Sequence, residues 1–373
     1  MKIIRKSIFW LHLVVGLLAG VLVLVMAVTG ITLAYERQLT VLADNFGIDA
    51  PEDAQQLGIE EILASHTSKP PSSITVESDL SQPVALQYGR EKTEFIHPYT
   101  GASLGEGNTV VRSFFKTMLT WHRWLGREGA QRDMGKALIG AGNLMFLFLV
   151  VSGIYLWFPK KWSVKGLKAV TLLQKRLKGR ARDWSWHNVF GFWAALPLLI
   201  VVSCGTVISY PWATALVFSI AGEKMPQRKR HGGGDHGENK PLSTAGLDAA
   251  LASVKNANPD WETIQLQLPA GKAAKFTVSD SHRGRPDKRR EVMVEMPTAE
   301  ILKTEGFESF GTGRKARTWI RWIHTGEAGG LPGQTIAGLA AASSIILVWT
   351  GFALAWRRFT KRKSRKTDTP ATA

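Results

Sequence analysis

The sequence predicts a membrane protein, mainly α-helical, with four transmembrane helices in two pseudo-repeats and a small α+β insertion in each. Three observations carry that prediction. Four segments, Ser7–Tyr35, Ala137–Pro159, Asn188–Gly222 and Ala328–Trp356, contain no Asp, Glu, Lys or Arg, and each exceeds the ~20 apolar residues that cross a bilayer. Basic residues gather beside them: Lys2, Arg5 and Lys6, the loop Lys160–Trp186, and the tail after Trp356 hold 19 of the 47 Lys and Arg but only two of the 30 acids. The first and third spans also overlay without a gap. His12, Gly16, Gly30 and Tyr35 match His187, Gly191, Gly205 and Tyr210, at intervals of 4, 18 and 23 residues in both.

In chain order the reading is span 1 over residues 1–36, an insertion over 37–110, and a juxtamembrane helix with span 2 over 111–159. A basic loop follows over 160–186, then span 3 over 187–222, a second insertion over 223–310, a juxtamembrane segment with span 4 over 311–356, and a basic tail over 357–373. Span 1 is longer than a secretory apolar region and no small-residue cleavage site follows it, so it reads as a retained anchor. The basic segments place both termini and the middle loop in the cytoplasm by the positive-inside rule. The remaining 28 basic residues balance 28 acids, so the net charge of +17 reflects topology and anionic lipid, not nucleic acid.

Each insertion reads as a short helix followed by three alternating strands. In the first, Glu60–Ser65 precedes Ser73–Glu77, Val84–Gly89 and Glu94–His97, closing at the turn Pro98–Gly101. In the second, Gly246–Ala257 precedes Thr263–Leu268, Lys275–Ser279 and Glu291–Met296, closing at Pro297-Thr298. The glycine-rich stretch His231–Gly237 reads as a mobile loop. Gly311–Ala316 has the look of a dinucleotide fingerprint but lacks a preceding strand. Pro197 is positioned to bend span 3.

Four of the nine histidines sit at span mouths: His12 and His187 at the cytoplasmic side, His122 and His324 at the opposite side. Trp10, Trp121, Trp124, Trp184, Trp186 and Trp322 mark interfacial depths around them. Two neutral imidazoles between apolar helices suit a low-spin haem, one nitrogen on each axial face of the iron, which serves electron transfer. No C-x-x-C-H is present, so covalent c-type attachment is excluded. Gly16, Gly20, Gly191, Ala194 and Ala195 leave room for a flat macrocycle, and Arg5, Arg123, Arg182 and Arg321 are near enough in sequence to meet its propionates. The competing reading of each histidine is an interfacial anchor. Zinc wants three or four ligands at one place, and each surface offers two. His231 and His236 fall in the glycine-rich loop; His66, His97 and His282 belong to the insertions. Cys204, the only cysteine, reads as a small packing residue opposite Thr29.

The pattern resembles the PepSY-associated transmembrane family, which includes iron-regulated membrane proteins and bacterial ferric-siderophore reductases. The matching features are Thr29-Gly30 and Cys204-Gly205 after their histidines, Trp-His-Arg-Trp-Leu at 121–125, Ile-His-Thr-Gly-Glu at 323–327, and the strand and turn at 94–101. His97 stands where that family often has Asp, and Ala299 replaces the usual turn glycine. The resemblance implies two PepSY-like periplasmic units on a bacterial inner-membrane protein. It implies two non-covalent b-type haems ligated by His12 with His187 and by His122 with His324. It also implies reduction of a ferric siderophore or other Fe(III) chelate, with electrons from quinol or a cytoplasmic flavoprotein. Two other readings remain beside it: an anchored module that regulates a peptidase, and a transporter.

Overall fold

A computed structural model describes residues 2–49, 55–66, 70–89, 92–158, 163–174, 176–226, 244–281 and 283–367. The stretch His231–Gly237, with His231 and His236, and also His282, lies outside the described residues. The helices in chain order are α1 (Lys2–Ala34), α2 (Glu36–Asp44), α3 (Ile59–Ser65), α4 (Thr109–Trp124), α5 (Arg132–Trp157) and α6 (Val164–Thr171). They continue with α7 (Gly179–Ser209), α8 (Pro211–Ile220), α9 (Leu247–Ala257), α10 (Thr312–Thr325) and α11 (Gly330–Thr367). The chain divides into two compact units.

The first unit comprises Met1–Glu36, Ser113–Val217 and Trp319–Ala373. Its four long helices α1, α5, α7 and α11 are each long and apolar enough to cross a membrane. They are apolar all round because lipid replaces water on their outer faces; Trp193, Trp349 and Trp356 are exposed there. α1 packs on α5 and α11, and α7 packs on the same two. The four thus form a ring in which α1 and α7 occupy one diagonal. Side-chain amides tie neighbours in this apolar setting: Asn143 Nδ2 donates to Val202 O at 3.1 Å and Thr206 Oγ1 at 2.8 Å. Gln334 Nε2 donates to Ala34 O at 2.6 Å. The glycines Gly16, Gly20 and Gly191 face Leu149, Phe352 and Leu347. They lie at the contacts of α1 with α5 and α11 and of α7 with α11. Pro197 lies within α7, which continues through it to Ser209.

The second unit comprises Arg37–Arg112 and Phe218–Thr318. Its strands are β1 (Ser73–Glu77), β2 (Val84–Tyr88), β3 (Lys92–Ile96), β4 (Ser103–Gly105), β5 (Thr263–Gln267), β6 (Ala273–Ser279), β7 (Arg289–Glu295) and β8 (Ile301–Gly306). They form one antiparallel sheet in the order β4-β3-β2-β1-β5-β6-β7-β8. The two insertions, read from sequence as separate small units, share this sheet through β1 and β5, which pair from Ser73↔Gln267 to Glu77↔Thr263. One face carries Ile74, Leu86, Ile96, Ile264, Leu266, Phe276, Val278, Val292 and Val294, and α3 and α9 cover it with Ile62, Leu63, Leu247 and Val254. Each such side chain contributes about 1.5–3 kcal/mol of burial.

The two helices on that face close each other's ends. Asp248 Oδ1 accepts from Ile59 N at 2.7 Å, and Glu60 Oε1 accepts from Asp248 N at 3.0 Å. Each acid thereby satisfies an orphan donor at the other helix's N-terminus. Gly58 is required by closeness, since a Cβ there would lie 2.3 Å from Asp248 Oδ2. The fingerprint-like Gly311–Ala316 opens α10, and its two glycines leave space for the Glu223 carboxylate and Phe218.

The same turn closes both halves of the sheet. His97 N donates to Ala102 O and Gly101 N to His97 O; Glu295 N donates to Glu300 O and Ala299 N to Glu295 O. Gly101 has φ +69° and Ala299 has φ +60°. The turn forms despite the missing glycine, with Ala299 taking the left-handed conformation at a cost of about 1–2 kcal/mol.

Candidate functional site

All four span-mouth histidines lie in the first unit, and the structure brings them together in two pairs. The ring centres of His12 on α1 and His187 on α7 are 6.5 Å apart. Those of His122 on α4 and His324 on α10 are 6.3 Å apart. His12 and Thr29, beside which His122 docks, are separated by 17 residues of α1, about 25 Å at 1.5 Å per residue. The pairs therefore sit near opposite ends of the bundle.

Each histidine is held by a helix that does not carry its partner. His12 Nδ1 meets Ser152 Oγ of α5 at 2.8 Å, and His187 Nδ1 meets Thr350 Oγ1 of α11 at 2.9 Å. His122 Nδ1 meets Thr29 Oγ1 of α1 at 2.9 Å. His324 Nδ1 donates to the Val201 carbonyl of α7 at 2.8 Å. A glycine follows Ser152, Thr350, Thr29 and Cys204, and each lies against an imidazole edge. A Cβ on Gly153, Gly351, Gly30 or Gly205 would stand 3.5, 3.7, 3.5 or 3.3 Å from Cε1 of His12, His187, His122 or His324 respectively. Three of these glycines follow a holding hydroxyl, in Ser152-Gly153, Thr350-Gly351 and Thr29-Gly30; the fourth, in Cys204-Gly205, lies beside His324, which the Val201 carbonyl holds.

With Nδ1 engaged in every case, Nε2 is the nitrogen left to bind a metal, the arrangement in which a second partner fixes a metal-ligating ring. Burial holds His122 below its ordinary range, at about 4, with the neighbouring His324 acting in the same direction. Burial also lowers His324. Both rings are therefore neutral at pH 7, as a ligand must be.

The spacing bears directly on a shared metal. Two imidazoles on opposite sides of one ion, each nitrogen about 2 Å from it, have ring centres about 6 Å apart. Among the described residues no group of three or more His, Cys, Asp or Glu is arranged to hold a metal ion. Each pair thus offers two imidazoles and, among the described residues, no third donor. Such a donor set would fit a group that brings its remaining donors with it, as haem does.

The arginines divide. Arg5 Nη2 donates to the carbonyls of Leu156 and Phe158 at 2.7 and 3.1 Å, and so caps the end of α5. Arg182 pairs with the buried Asp183, which Arg357 also reaches at 3.0 Å. Those two are engaged elsewhere, contrary to the expectation that they meet propionates. Arg123 lies 4.7 Å over Trp124, with Arg132 at 4.2 Å from the same ring, and Arg321 lies 5.0 Å over Trp322. The other described histidines are apart from the pairs: His66 meets Ile62 O, and His97 meets the Tyr99 ring edge-on.

The hydroxyls of Ser152, Thr29 and Thr350, and the Val201 carbonyl, are the site components missing from the sequence reading. Thr29, Ser152 and Thr350 each stand before a glycine in a recurring pattern, but nothing in that pattern points to the distant histidine that each one meets.

Residues 9–358 match the model of the PepSY-associated TM region. The chain belongs to that family, and with four apolar helices it is a membrane protein. No curated protein matches it.

Proposed function

We propose that this chain binds two b-type haems, one between His12 and His187 and one between His122 and His324, and carries electrons across the bacterial inner membrane. The observation that carries this reading is the approach of two imidazoles to 6.5 and 6.3 Å with no third donor among the described residues. Bound there, haem supplies reversible one-electron chemistry at iron. The chain's own residues would hold it between the two imidazoles of each pair, with Nδ1 of each ring tied to a neighbouring helix, and close helix packing would exclude water. The acceptor is a ferric siderophore or other Fe(III) chelate on the periplasmic side, the substrate class that goes with the family resemblance. One electron converts Fe(III) to Fe(II), which loosens a hard-oxygen chelator's hold. The donor is a quinol or a cytoplasmic flavoprotein.

The same reading takes both termini and the loop before span 3 as cytoplasmic, from the basic residues beside the spans. It takes the two halves of the chain as repeats, since α1 and α7, α5 and α11, and α4 and α10 play matching parts around the histidines. Arg123 and Arg321, which lie over Trp124 and Trp322, are the candidates to meet propionates.

The test is absorption spectroscopy with a haem count on the full chain and four single His→Ala variants. Two haems per chain are expected, with loss of the same spectral component in His12→Ala and His187→Ala, and of the other in His122→Ala and His324→Ala. A colourless preparation from haem-replete cells overturns the proposal and favours an anchored, non-enzymatic module.

A further inference from the structure

Thr29, Ser152 and Thr350 are 5%, 4% and 0% exposed, so no solvent competes for their hydroxyls. Each hydroxyl also donates back along its own helix: Thr29 to Val25 O at 2.7 Å, Ser152 to Phe148 O at 2.6 Å, Thr350 to Ile346 O at 2.7 Å. A hydroxyl has one hydrogen and two lone pairs. With the hydrogen spent on the helix carbonyl, the oxygen can only accept from the imidazole. The proton of His122, His12 and His187 must then sit on Nδ1, since the bond made by one ring nitrogen decides the state of the other.

The fourth position differs. Cys204 stands where the other three have a hydroxyl, and a thiol is a weak acceptor. His324 meets the Val201 carbonyl, three residues back along α7, at 2.8 Å. The carbonyls in the same place on α1 and α11, Met26 and Leu347, also bond to His122 and His187. What sets the His324 position apart is therefore the missing hydroxyl, which leaves its Nδ1–H on a backbone carbonyl alone.

We propose that Ser152, Thr350 and Thr29 are positioning residues that store the proton of their histidines on Nδ1 and keep Nε2 free, and that Cys204 sets the His122/His324 pair apart by leaving His324 to the Val201 carbonyl. The tautomer assignment stands without haem; the consequence for redox balance rests on the haem reading. Were haem held there, its midpoint potential would depend on which group His324 Nδ1 meets, and so on residue 204.

Two measurements separate the two parts. The first is 15N-histidine NMR on the full chain in lipid, produced in cells that make no haem. The expected result is Nδ1–H on all four buried histidines. Thr29→Val should change His122 alone, Ser152→Ala His12 alone and Thr350→Val His187 alone, while Cys204→Ala changes none. Nε2–H in the unsubstituted chain, or hydroxyl variants that leave the signals unmoved, overturns the positioning role. The second is potentiometry on the haem-loaded chain, where Cys204→Ser offers His324 a hydroxyl. The midpoint of the His122/His324 pair should shift and the other stay; two unchanged midpoints overturn the role of Cys204. A chain with the expected tautomers that binds no haem retains the positioning role and sinks only the haem reading.

Discussion

The imidazole planes of His12 and His187 cross at 84°, while their ring centres lie 6.5 Å apart. The planes of His122 and His324 meet at 49°. Both angles are set by the holding residues, because Ser152 and Thr350 fix the rotation of one pair, and Thr29 and Val201 that of the other. On one iron, perpendicular ligand planes bring two d orbitals close in energy, and a smaller angle separates them. The loaded chain should therefore give two low-spin electron paramagnetic resonance signals of unequal anisotropy. The more anisotropic one should vanish in His12→Ala or His187→Ala, and two identical signals would contradict the geometry.

The glycines beneath the imidazoles are not equally tolerant. At Gly30 an added Cβ would lie 3.5 Å from the His122 ring, an ordinary contact, whereas at Gly205 it would lie 2.9 Å from Asn143 Oδ1 and 3.3 Å from His324. Asn143 is held by two hydrogen bonds and cannot step aside cheaply. Gly205→Ala should destabilise the bundle by about 1–3 kcal/mol, in the range for overpacking, and lower occupancy of the His122/His324 pair. Gly30→Ala should have a much smaller effect on thermal stability and haem content.

The matched turns give a paired expectation. Ala299→Gly relieves a left-handed alanine at φ +60° and should stabilise the sheet unit by about 1 kcal/mol. Gly101→Ala imposes the same strain at φ +69° and adds a 3.2 Å approach to Leu57, so it should destabilise by at least as much. Thermal melts of the two variants should move in opposite directions.

Glu77, on the seam strand β1, is raised from 4.5 to about 7, first by burial, with Glu262 and Asp79 adding to the rise and Arg37 opposing it. A carboxyl whose folded pKa exceeds its unfolded one contributes stability that is complete below about 4.5 and lost as pH climbs through 7. Glu77→Gln removes that dependence. The variant should match the unsubstituted chain at pH 4 and melt higher at pH 8, with the gap opening between. A constant difference across that range would count against the assignment.

Much of this architecture was legible in residue order. Charge-free segments marked the four apolar helices, and alternation located β1, β2 and β5 almost to the residue. β4 and β8 were missed because one is three residues long and the other is largely exposed, leaving no apolar alternation to read. The joining of β1 to β5 was missed for a different reason: alternation says which face of a strand is buried, not which strand lies beside it. At the site, histidine depth was readable from spacing, but its holding partners were not. Ser152 lies 140 residues from His12 and Thr350 lies 163 from His187, and no local pattern encodes such a meeting.

The seam between β1 and β5 has a consequence for biogenesis. Ser73 takes its neighbour from Gln267, a residue translated only after α5 and α7 have been made. Until then the earlier half presents β1 as a raw edge, open to pairing with any other extended chain. Excising either half for separate expression should yield material that dimerises or aggregates through that strand, while both halves supplied together should dock. Assembly of the unit is thus timed by membrane insertion of the helices that separate its two parts.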